Sequence, residues 1–134
     1  MDKAAILAAA AASGLPREVV SVPEFGDGVT LSLQGMTGTQ RDAWEKSLIV
    51  GKGQRRDVNT ENIRARLVVK SLFTDDWSAR MFTDAEAAVV GTWRVDVLQR
   101  LFTVAQRLSG VSDADVDELG KSSAPTAGSA SPTS

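Results

Sequence analysis

Near residue 35 of this 134-residue chain the apolar period changes, separating a strand-forming stretch from a longer helical one. In Val29-Thr30-Leu31-Ser32-Leu33-Gln34 apolar and polar residues alternate, the mark of a strand with one face in water. Upstream, Glu18-Val19-Val20-Ser21-Val22 is rich in β-branched residues and can pair with it. Between them lies Phe25-Gly26-Asp27-Gly28, whose glycines accept the positive φ angles of a tight turn. Pro23 lacks an N–H and belongs at a strand end or edge. The expectation is a β-hairpin over residues 18–34.

Beyond it the apolar residues recur every three or four positions, as on a helix face. Thr37 can cap a helix over 38–50 that carries Ala43, Trp44 and Leu48 and stops at Gly51. A polar, glycine-rich loop follows over 51–57. Asn59 or Thr60 then opens a helix over 60–74, closed by Asp75 and Asp76. Its apolar residues Ile63, Leu67, Val68, Val69, Leu72 and Phe73 cover so wide an arc that it should be the most buried element. Thr83-Asp84-Ala85-Glu86 has the form of a capping box and starts a helical stretch over 84–108, broken at Gly91-Thr92. After the break, Leu98, Leu101, Phe102, Ala105 and Leu108 share one face. Ser112 caps a last helix over 113–119.

The expected fold class is therefore α+β and predominantly helical: an N-terminal β-hairpin followed by a small bundle of about four to five helices. Residues 17–120 make up the expected core. Residues 1–16 precede it as an alanine-rich helix from Asp2 to Ser13, ended by Gly14 and Pro16, with little side chain to bury. Residues 121–134 are small and polar, with Pro125 and Pro132, and are expected to be a disordered tail.

Composition narrows the chemistry. The chain has no cysteine, which excludes disulfides and thiolate metal sites, and no histidine, which removes the commonest metal ligand and general base. No catalytic residue, metal ligand or cofactor is expected, and the reading is of a binding protein, not an enzyme. Asp113-Ala114-Asp115 starts like a calcium loop, but Glu118 stands where glycine is needed and Ala124 where glutamate is needed. Gly51-Lys52-Gly53 lacks the spacing of a phosphate-binding loop. Ala4 to Ala12 has the outline of a signal peptide, but its alanines make an ordinary helix the better reading. No apolar stretch approaches the roughly 20 residues that span a bilayer, so no membrane partner and a cytoplasmic location are expected.

Contacts with other proteins are the remaining option. Lys52, Arg55, Arg56, Arg64, Arg66 and Lys70 oppose Asp57 and Glu61, so residues 52–70 carry +6 − 2 = +4 in a chain of net charge −2. No aromatics interleave this window, so a solvated face or an acidic protein partner fits it better than nucleic acid. Of the three tryptophans, Trp44 falls on an apolar stripe and reads as core. Trp77 and Trp93 fall at a loop and a helix break, where hot-spot residues occur. The candidate partner-binding residues are Trp77, Trp93, Phe82, Arg55, Arg56 and Arg64.

Taken in order, several segments resemble the siphophage tail assembly chaperones. They are Val22-Pro23-Glu24-Phe25-Gly26, Val29-Thr30-Leu31 and Thr39-Gln40-Arg41-Asp42-Ala43-Trp44-Glu45, then Asn59-Thr60-Glu61-Asn62-Ile63-Arg64-Ala65-Arg66-Leu67-Val68. Leu72, Arg80-Met81-Phe82-Thr83-Asp84, Arg100-Leu101-Phe102 and Leu108-Ser109-Gly110-Val111-Ser112 complete the pattern, which covers residues 17–120 and omits the alanine-rich segment. The resemblance implies a non-catalytic chaperone in the cytoplasm of the infected bacterial host. It would hold the tape measure protein soluble, help recruit tail tube protein through a longer, frameshifted form, and be absent from the mature virion. Self-association is compatible with it. The physical expectation is an accessible apolar groove that an amphipathic segment occupies and leaves. The alternatives are a structural tail or neck component retained in the virion, and a nucleic-acid-binding regulator.

Overall fold

Alternation in the early chain builds two strands, as expected. In the computed structural model, which describes residues 1–50, 57–58 and 62–116, β1 (Arg17–Ser21) pairs antiparallel with β2 (Thr30–Gln34), Val20 lying opposite Leu31. Val20, Leu31 and Leu33 turn inward while Arg17, Val19 and Ser21 stay exposed. The connection is wider than a tight turn. Val22 and Val29 extend the ladder, and a 3-10 turn over Pro23–Phe25 rounds the corner into Gly26, at φ 140°.

β2 needs a second neighbour, and it comes from the stretch read as the end of a helix. Helix α3 spans Ile63–Ser71 rather than 60–74, and Leu72–Phe73 leaves it as strand β5. Leu72 lies opposite Leu33 and Phe73 opposite Ser32, giving a three-stranded antiparallel sheet in the order β1-β2-β5. The helix stops because extended backbone at Leu72 lets β2 satisfy its outer polar groups while the leucine stays fully buried. Arg80 closes the exit, donating to the Val69 carbonyl from Nε (3.2 Å) and Nη2 (2.9 Å). That carbonyl is one of the last-turn acceptors a helix end leaves open. At the other end Asn62, at φ 56°, precedes the first turn without a side-chain cap bond. The expected cap at Asn59 or Thr60 lies outside the described residues.

The first core helix is also shorter than expected. α2 spans Gly38–Ser47, opened by a capping box in which Thr37 Oγ1 accepts from Gln40 N–H and Gln40 Oε1 accepts from Thr37 N–H. Ile49–Val50 (β3) then pairs antiparallel with Asp57–Val58 (β4), so 49–50 is strand and not the helix end expected over 38–50. β-branched residues favour that geometry over a last helical turn.

The stretch 84–108 divides at its expected break. A 3-10 turn over Asp84–Glu86 leads into α4 (Ala87–Val90), and α5 (Val95–Ser109) follows. Glu86 reaches back to the Thr83 N–H at 2.8 Å, the acidic half of a capping box. Gly91 lies so close to α3 that an added Cβ would fall 2.4 Å from Asn62 Oδ1. Residues 113–116 are helical, with Ser112 and Asp115 capping each other at 2.9 and 3.1 Å. The expected extension to 119 and the tail over 121–134 lie outside the described residues.

α5 packs on the inner side of the sheet and against α3, with α2 and α4 flanking. Trp44, Leu33, Leu48, Leu67, Leu72 and Leu101 are sealed between them. α3 contributes Ala65, Leu67, Val68, Val69 and Ser71 to this core, in keeping with its wide apolar arc. Gly35 sits where β2 meets the end of α5: an added Cβ would lie 2.3 Å from the Leu108 carbonyl oxygen. Helix α1 (Lys3–Ser13), capped by Asp2 on the Ala5 N–H at 2.8 Å, buries no residue. The fold is thus α+β and mainly helical, with its sheet near the N-terminus. No described helix is long and apolar enough to cross a membrane.

Candidate partner-binding surface

Three aromatic rings meet where the hairpin corner touches the break between α4 and α5. Trp93, half-buried in that break, takes Phe25 edge-on with ring centroids 5.3 Å apart and Phe82 at 5.7 Å. T-shaped pairs of this kind contribute roughly 0.5–1.5 kcal/mol each beyond area burial. Phe82 and Trp93 rest on the core, while Phe25 remains 41% exposed and Met81, beside Phe82 in sequence, 40%. The cluster therefore has a fixed base and an accessible outer edge.

An ion pair pins the corner on which Phe25 stands. Arg100 on α5 grips both oxygens of Glu24, at 2.9 and 2.5 Å, and also donates to the Ser21 carbonyl at 3.4 Å. The guanidinium holds the Glu24 carboxyl well below its ordinary range, at about 2. Phe25 thus projects from a corner anchored to the longest helix.

Trp77 lies elsewhere, beside the outer face of the sheet. It adopts φ 65°, a conformation rare for a bulky residue. The turn around it is fixed by Asp76, whose Oδ1 accepts from Thr74 Oγ1 (2.7 Å), Ser78 N (3.0 Å) and Ser78 Oγ (2.7 Å). These bonds, the one from the Ser78 hydroxyl foremost, lower the Asp76 carboxyl to about 2. The Trp77 ring receives the Arg17 guanidinium at 4.7 Å, a cation–π contact that ties the turn to β1.

Of the sequence candidates, then, Phe82 and Trp93 come together and Trp77 stands apart. Arg64 lies over the Phe102 ring at 5.7 Å and borders a recess of about 210 Å³ with Ile63, Gly91 and Leu98. Arg55 and Arg56 lie outside the described residues. Two further cations of the basic window make internal contacts. Arg66 donates to the Ser47 carbonyl at 3.0 Å, and Lys70 bonds Asp84 at 3.0 Å, as Arg80 does at 2.8 Å. Partial burial pushes Asp84 up, but the bonds from Arg80 and Lys70 outweigh it and leave the carboxyl lowered. Asp113 accepts from Gln106 Nε2 at 2.9 Å, and Asp115 caps Ser112, so both acids act as structural acceptors.

The accessible apolar groove expected from the sequence has as its nearest counterparts among the described residues two recesses that mix apolar with charged lining. The larger recess, about 330 Å³, has Val69, Ala85, Ala87 and Ala88 in its lining but a rim of Arg66, Lys70 and Asp84. Exposed apolar surface lies instead at the aromatic corner and at Val19, Val89 and Val95, with Ile6 and Leu7 on α1. Sequence reading missed Phe25 and Arg17. The first was taken for a turn residue, and nothing local signals that its ring meets Trp93, 68 positions on in the chain.

No family model and no curated protein matches the sequence. Among solved structures, the chain is similar to the bacteriophage HK97 tail assembly chaperone. The TM-score is 0.52 at 22% identity, and the match covers 82% of this chain and 99% of that one. A likeness at this identity establishes a shared fold, which is thus like that of a phage tail assembly chaperone.

Proposed function

We propose that this chain is a phage tail assembly chaperone, a non-catalytic protein that holds a tape measure protein soluble during tail morphogenesis and is left out of the finished particle. The observation that carries the reading is the fold shared with the HK97 chaperone along nearly that protein's whole length. The ordered segments over 17–120 that resemble this family support it from the sequence side. Function does not follow from fold alone, so the surface must fit the task. A tape measure chain exposes apolar stripes that self-associate unless covered. The corner of Phe25, Phe82 and Trp93 offers rigid aromatic area beside polar, charge-paired surface, which suits capture followed by release. On this reading Trp93, Phe82 and Phe25 touch the client, Trp77 and Arg64 form secondary contacts, and Arg55 and Arg56 are further candidate contacts by charge. A longer, frameshifted form would bring tail tube protein to the complex, and the work is done in the host cytoplasm.

Quantitative mass spectrometry of purified virions against infected-cell lysate separates this reading from a retained tail or neck protein. The chain should be abundant in lysate and absent from finished particles. Stoichiometric recovery in the particle would make it a structural component instead.

A further inference from the structure

Two rings of the aromatic corner stand next in sequence to charged residues that are clamped on the same helix. Glu24, before Phe25, accepts from both terminal nitrogens of Arg100, at 2.9 and 2.5 Å. Arg94, after Trp93, grips both oxygens of Asp96, from Nε at 3.1 Å and Nη2 at 2.8 Å. Asp96 also accepts the Val97 N–H at 2.8 Å, which fixes it to the first turn of α5. Asp96 and Arg100 lie four residues apart on that helix and are neighbours on its surface. Phe25 and Trp93 are thus both referred to α5. The hairpin corner has no other polar tie. Gly26 and Gly28, at φ 140° and 76°, give it a backbone that other residues rarely adopt. Its own bonds are local, from Phe25 N–H to the Val22 carbonyl (3.1 Å) and from Gly26 N–H to the Pro23 carbonyl (3.0 Å). Among the described residues, only the bonds from Arg100 to Glu24 link residues 23–28 to anything beyond the hairpin. Phe25, with a ring 41% exposed, goes where that corner goes.

We propose that Arg100 is a positioning residue for client binding: through Glu24 it holds Phe25 against Trp93, and so sets the affinity of the aromatic corner without itself touching the client. A ring already held in its binding position spares the complex the entropy of fixing it. A bidentate pair suits this task, because the planar guanidinium fixes direction as well as distance. Acid and base satisfy each other, so the pair orients the ring and offers no net charge to a client. The inference rests on the reading of the corner as a client-binding surface and adds what controls the strength of that surface.

Two readouts test it. In the free chain, the ring protons of Phe25 should carry a ring-current shift from Trp93 that Glu24→Gln and Arg100→Gln each largely abolish, with far-UV dichroism unchanged. Should Arg100→Gln unfold, Arg100→Lys replaces it, since lysine keeps the charge but not the fork and should lose the same shift. Binding is read on an immobilised segment of a tape measure protein that the wild-type chain retains. Each glutamine variant should weaken it by about three- to tenfold, and the double variant no further. In a Phe25→Ala background neither should weaken it again, because the ring they position is gone. A merely structural role, or a direct contact of either charge with the client, would add to the Phe25→Ala loss instead. Additive losses, full affinity in both glutamine variants, or unshifted Phe25 protons that stay unshifted overturn the proposal. Wild type that retains the segment with no effect of the variants removes the positioning role and leaves the chaperone reading standing. Wild type that retains no segment removes the chaperone reading, and with it the effect on affinity.

Discussion

Glu24, half-buried, and Asp76, exposed, are carboxylates that organise the surface around them, one under the aromatic corner and one inside the Trp77 turn. Both are held at about 2, Glu24 from an ordinary 4.5 and Asp76 from 3.8. A depressed carboxyl binds fewer protons in the folded chain than in the unfolded one, so folding stability rises with pH across the interval. The stability these two supply is complete above about pH 4.5 and is lost as the pH falls toward about 2. Denaturant midpoints measured from pH 6 to pH 2 should fall through that window. Glu24→Gln should flatten part of the slope, and Asp76→Asn another part. A midpoint as steep in the double variant as in the wild type would show that other groups carry the acid response. At the core, Trp44 is the reverse case: among described residues its buried Nε1 has no hydrogen-bond partner, a polar group held in place by packing alone.

Each secondary-structure element owes its place to a different balance. α5 was legible because Leu98, Leu101, Ala105 and Leu108 keep helical spacing, and β2 because it alternates without a break. The caps at Thr37, Thr83 and Ser112 were legible for the same local reason. Leu72 and Phe73 were not. Their spacing continues the apolar stripe of α3, and only the open side of β2, 39 positions away at Leu33, turns them into a strand. Ile49–Val50 failed likewise, since its partner Asp57–Val58 sits in what looked like a featureless loop. Of the candidate surface, Trp93 and Phe82 could be named from position and residue type. Phe25 could not, because its neighbours are set by tertiary packing. Helix α1 is the element with least hold on the rest, since none of its residues is buried. Removal of residues 1–13 should leave the melting temperature within about 2 °C of the full chain, equivalent to under roughly 0.5 kcal/mol. A larger drop would mean that α1 supports the core through contacts its exposure does not reveal.

At the scale of the molecule, one sealed core carries two separate accessible regions. The aromatic corner faces one way from the hairpin turn, and the open edge of β1 runs along the side of the sheet. Among the described residues neither region contains an assembled set of reacting groups, and Arg100 is paired with Glu24 and Arg107 with Glu18. On the proposed reading such a surface grips and releases through the partly exposed rings of the aromatic corner. The central claim is that this surface keeps an aggregation-prone tail protein in solution. The direct measurement is the soluble fraction of a tape measure protein expressed in bacteria with and without this chain, with the pair co-purified from the supernatant. The tape measure protein should be largely insoluble alone, and soluble and bound to this chain when the two are made together. The same insoluble fraction in both cultures, with no co-purified complex, would contradict the account.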